Sequence, residues 1–66
     1  MNSKELKCEM LKKDIKPEYL RRELHISKSA YHSKINGITD FKYDEAIKIG
    51  KLLNLTKKQM IRIFFT

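Results

Sequence analysis

The residues in this sequence best suited to hold a metal or run acid–base chemistry are Cys8, His25 and His32, and their spacing supports neither role. A structural zinc site needs four N or S ligands at short, paired intervals, and a second cysteine is lacking. Neither histidine lies in an arrangement with an acid and a nucleophile that suggests a triad, and no glycine-rich phosphate loop occurs. No catalytic residue, metal or cofactor is therefore expected, and the chain does not read as an enzyme. Charge carries more information. Fifteen Lys and Arg stand against eight Asp and Glu, a net charge of +7. A basic balance this dense points to nucleic acid, an acidic membrane surface or an acidic partner.

The elements that position these charges must come from a short chain. Sixty-six residues make one domain, 1–66, and a single cysteine provides no disulfide framework. Such a chain needs a tight core of packed helices, or a partner subunit. No apolar run approaches the ~18–20 residues of a membrane span. Met1 to Met10 is polar and charged, unlike a secretory signal. With an unpaired cysteine, this gives a cytoplasmic expectation and no membrane partner. A hydrophobic content of 41%, with three Phe and three Tyr, is too high for a disordered basic tail.

Strand-like alternation is poor, and helical spacing recurs instead. A first helix is expected from about Ser3 to Asp14, with Leu6 and Met10 four apart and Leu11 beside them. Pro17 suits the first position of a second helix, with Leu20 and Leu24 on one side and Arg21 and Arg22 on the other. His25-Ile26-Ser27 breaks the period, and Ser27 is a natural cap for a third helix from Lys28 to Ile35. Tyr31 and Ile35 are its apolar anchors, and the polar face opposite carries Lys28, Ser29, His32 and Ser33. Asn36-Gly37 ends it, with glycine taking a left-handed backbone cheaply.

A fourth helix, about Tyr43 to Leu53, shows an i, i+3, i+4, i+7 stripe of Ala46, Ile49, Gly50 and Leu53. Thr56 and Gln59 form a capping box for the fifth, with Leu55 and Met60 placed as a hydrophobic staple. Met60, Ile61, Ile63, Phe64 and Phe65 wrap more apolar surface around that helix than one face can bury. If Met60, Ile63 and Phe64 complete the core, Ile61 and Phe65 share another face and form a protein interface. The expectation is a compact all-α five-helix bundle with a central helix-turn-helix.

These residues carry a resemblance. From Ile15 to Met60 the chain resembles, without a gap, the Cro/lambda-repressor type of helix-turn-helix domain. The matching positions are Ile15, Glu18, Leu20, Leu24, Ile26, Ser27, Ser29, Tyr31, Ile35, Asn36-Gly37, Ala46, Lys48-Ile49, Leu53, Leu55-Thr56 and Met60. Tyr31 to Phe65, with Lys34-Ile35-Asn36-Gly37, Phe41, Leu53-Asn54-Leu55-Thr56 and terminal Ile63-Phe64-Phe65, is similar to small phage-encoded Cro-like proteins of Gram-positive hosts.

The resemblance implies a lambda-repressor-like fold and a transcription regulator of a phage lytic/lysogenic switch. It implies a third helix in the major groove of double-stranded operator DNA, with Lys28, Ser29, His32 and Ser33 reading bases. Lys16 and Asn36 then fall at phosphate-contacting positions, as do Lys42 and Tyr43 more weakly. A homodimer is the expected state. A rival role also belongs to this fold: a modulator or antirepressor that pairs with the cognate phage repressor and masks its DNA-reading surface. Three positions depart from the family pattern. Arg21 stands where a small residue is usual, His25 where Gly is usual, and Lys34 where an apolar residue is usual, with Ile35 expected to cover for it. Arg can keep its head in water, and His tolerates left-handed backbone better than bulky residues do.

Overall fold

Each helix begins where a side chain accepts a hydrogen bond from a free N–H or, in α2, where a proline removes one such donor. The computed structural model describes residues 1–65, which form α1 (Ser3–Lys12), α2 (Pro17–Leu24), α3 (Lys28–Ile35), α4 (Tyr43–Leu52) and α5 (Lys57–Phe64). No strand occurs among the described residues. The Asn2 side chain accepts from Glu5 N–H at 3.1 Å, and Ser27 from Ala30 N–H at 3.1 Å. Both arms of the box at α5 are made: Gln59 N–H donates to Thr56 Oγ1 at 3.2 Å, and Thr56 N–H to Gln59 Oε1 at 2.9 Å. Pro17 occupies the first turn of α2, where its missing donor is harmless.

Left-handed residues end the helices. Asp14, His25, Asn54 and Gly37 have φ of 55°, 56°, 53° and 78°. His25 thus takes the backbone that glycine usually supplies, letting Ile26 N–H reach Arg21 O at 3.2 Å. Asp14 does the same after α1, so that helix closes at Lys12, short of Asp14. Leu53 caps α4 from just outside it.

All five helices contribute to one core. Leu6, Leu20, Ile49, Leu53 and Ile63 are completely buried, with Met10, Leu24, Tyr31, Ile35 and Ala46 nearly so. Each fully buried Leu or Ile stabilises by ~1.5–3 kcal/mol relative to exposure. Gly50 leaves room for the Met60 side chain of α5, whose sulfur a Cβ there would overlap unless it turned aside. Leu11 departs from expectation: it is 82% exposed, and the third inward position of α1 belongs to Glu9. Glu9 pairs with Lys12 at 3.2 Å and Lys13 at 3.1 Å, and Lys13 also donates to Leu53 O, tying the end of α1 to the end of α4. The Lys13 hydrogen bond holds the Glu9 carboxyl below its usual value against the opposing effect of burial, with Lys12 assisting. Arg62 and Glu5 join α5 to α1 at 2.6 Å.

Candidate nucleic-acid interface

The caps that define α2 and α3 also decide which way their charges face. Both helices are eight residues long and are joined through His25, Ile26 and Ser27. Leu20 and Leu24 anchor α2 in the core, and Tyr31 and Ile35 anchor α3. With those anchors buried, Lys28, Ser29 and His32 are exposed as the sequence pattern requires, while Ser33 is half-buried. Tyr31 is a core residue: its hydroxyl approaches the sulfur of Met10 at 3.7 Å. Burial, and to a smaller extent the Glu18 charge, pushes its pKa upward.

The phosphate candidates lie at helix ends. Lys16 caps α2, Lys42 caps α4 and Asn36 caps the C-terminus of α3, all exposed. Tyr43, opening α4, is 72% exposed. Lys16, Lys28 and Lys42 therefore stand at the starts of three consecutive helices, where the dipole already presents positive charge. A cation there is disfavoured by ~0.3–1 kcal/mol, and an anion drawn to the same place is favoured. Lys28, His32 and Arg21 meet in one cleft of about 330 Å³, completed by Pro17, Glu18 and Tyr31. Lys16 lies on the other side of Glu18, in a shallow depression with Asp14, Ile15, Tyr19 and Arg22.

Lys34 behaves differently from its sequence neighbours. It does not rely on Ile35 to cover for it: its own side chain is only 12% exposed and pairs with Glu45 at 2.8 Å. The ammonium also lies 5.8 Å from the Phe41 ring centre, and Phe41 packs edge-on against Phe64 with centroids 6.2 Å apart. The same Glu45 oxygen accepts from Lys42 N–H at 2.8 Å, so one carboxylate joins the last turn of α3 to the first turn of α4. Burial raises the Glu45 pKa, but the Lys34 hydrogen bond, the Lys42 N–H and both charges outweigh it and leave the carboxyl below its usual value. Sequence reading missed Glu45 and Glu9 as partners of lysines. Glu9 carried a local signal in its i+3 and i+4 lysines, whereas Lys34 and Glu45 are eleven positions apart on different helices.

At the C-terminus, Ile61 and Phe65 are 47% and 55% exposed, while Ile63 is buried and Met60 and Phe64 are half-buried. Among the described residues, no three of His, Cys, Asp and Glu stand close enough to share a metal, and no helix is long and apolar enough to cross a membrane. The described residues form a small, basic, all-helical domain with Lys28, His32 and Arg21 on one α2–α3 cleft. The chain matches no protein-family model, and comparison with curated proteins and with solved structures gives no match.

Proposed function

We propose that this chain is a phage-encoded, Cro-like transcription regulator that binds operator DNA through α3, in the cytoplasm of the bacterial host. The reading assigns base contacts to Lys28, Ser29, His32 and Ser33, and phosphate contacts to Lys16, Asn36, Lys42 and Tyr43. The observation that carries it is the outer face of α3: a helix without a single acidic residue, whose Lys28, Ser29 and His32 are exposed, with exposed lysines also at the starts of α2 and α4. Phosphate contacts of this kind fix position, and the first turn of α3 supplies sequence readout. Lys28→Ala should weaken binding to the specific site by ~1–3 kcal/mol and to random DNA by much less, measured by fluorescence anisotropy. Equal losses on both would reduce Lys28 to a phosphate contact.

A second reading draws on the exposed Ile61 of α5 and Phe65 just past its end, four positions apart. In it the chain pairs with the cognate repressor and blocks that protein's DNA binding. Gel mobility shift with the phage switch region, with and without repressor, separates the two. A shift by the chain alone supports the regulator; loss of the repressor's own shift without one by the chain supports the modulator.

A further inference from the structure

Arg21 is the one polar side chain of the described residues with a fully buried, unpartnered nitrogen: its Nε has no hydrogen-bond partner. A buried N–H donor left unpaired is costly, while the rest of the Arg21 side chain is only half-buried and lines an open cleft. Its surroundings show what would satisfy it. Arg21 lines the cleft between α2 and α3 together with Lys28 and His32, and the only acid on that lining is Glu18. Neither Lys28 nor His32 uses its side chain in a hydrogen bond or ion pair among the described residues, and Glu18 is paired with none of the three. Three donor side chains from two helices thus line one small, partly enclosed space, and its single acid, Glu18, forms an ion pair with none of them.

We propose that this cleft is a phosphate site anchored by Arg21, with Lys28 and His32 on its rim, where their side chains stay free to face the bases. Arginine's planar fork suits a tetrahedral oxyanion, and a turn of the half-buried side chain toward a phosphate seated there would bring the closed-off Nε into pairing with it. It would also bridge α2 to α3. On the regulator reading, on which the identity of the occupant rests, the phosphate belongs to the DNA backbone; the same chemistry would accept a free phosphate. Glu18 sets the affinity by opposing the anion from the cleft wall.

The test uses the full chain and two probes, inorganic phosphate and duplex DNA. Phosphate titration followed by amide NMR should move Lys28, Tyr31 and His32 in the parent, and these shifts should vanish in Arg21→Met. In Glu18→Gln, which leaves Arg21 untouched, phosphate should bind several-fold tighter. With DNA, Arg21→Met should reduce the salt dependence by ~0.9 log unit of affinity per log unit of salt, the contribution of one phosphate. Arg21-dependent phosphate shifts with an unchanged DNA slope support the site and assign it to a free phosphate. Phosphate shifts in a chain that binds no DNA do the same while removing the regulator reading. Shifts that persist in Arg21→Met overturn the proposal. So does Glu18→Gln binding phosphate no better than the parent, which decides the matter if Arg21→Met does not fold.

Discussion

The two ends of α3 treat half-buried cations in opposite ways. At the C-terminal end Lys34 finds Glu45, the Phe41 ring and, at 3.4 Å, the Asp40 carbonyl. At the N-terminal end Arg21 meets Lys28 and His32 and has no partner for its buried nitrogen. One region spends its charges on holding helices together; the other leaves them open. The contrast teaches that net charge alone does not locate a binding surface. Ion pairing divides the cations: Glu5, Glu9 and Glu45 neutralise Arg62, Lys12, Lys13 and Lys34, while Glu18 forms no ion pair in the open cleft.

Breaking the paired end should have the largest effect. Glu45→Ala strands Lys34 in a setting where both partners are 12% exposed, and also frees the Lys42 N–H. A loss of ~2 kcal/mol follows, or roughly 10 °C in Tm for a domain of this size, read by thermal circular dichroism. The pH dependence has a definite sign. Because the folded Glu45 carboxyl titrates below its usual value of 4.5, its contribution is complete at neutral pH and declines as pH falls through 4.5 toward the lowered value. The Tm difference between parent and variant should therefore be full at pH 7 and shrink in acid.

The open end should respond in the opposite direction. Arg21→Met removes one buried, unpaired N–H and keeps an apolar stem, so stability should rise, by at most ~1 kcal/mol. A fall in Tm comparable to that of Glu45→Ala would erase the distinction between the two ends. The smallest effect on folding is expected at α5. Ile61→Glu with Phe65→Ser alters only exposed side chains, so helicity should be retained while self-association weakens, as sedimentation can measure. Outright unfolding of that double variant would assign both residues to the core.

Much of this arrangement is legible in the sequence because it is local. Ser27, Thr56 and Gln59 sit a fixed three or so positions from the N–H groups they satisfy, and Pro17 and Gly37 mark boundaries through their own backbone limits. The apolar spacings of Leu6 and Met10, Tyr31 and Ile35, and Ala46 to Leu53 translate directly into burial. Leu11 misleads because apolar identity says nothing of direction; one residue past Met10 turns it ~100° away from the core. The electrostatic division is where sequence fails. Lys34 and Glu45 belong to different helices, and the buried state of Arg21 depends on how closely α2 and α3 pack. Its departure from the small residue that the helix-turn-helix resemblance implies marks the position as unusual, but only three-dimensional packing reveals the unpartnered nitrogen.

The central claim is that the unpaired basic face of α2 and α3 engages DNA phosphates. The most direct measurement is the affinity for duplex DNA across a range of salt concentrations, for the parent and for Lys16→Ala. The parent should weaken steeply, by ~0.9 log unit per log unit of salt for each phosphate neutralised, and Lys16→Ala should lower both affinity and slope equally on specific and random sequences. Absence of DNA binding at low salt, or binding that salt leaves unchanged, would contradict the account.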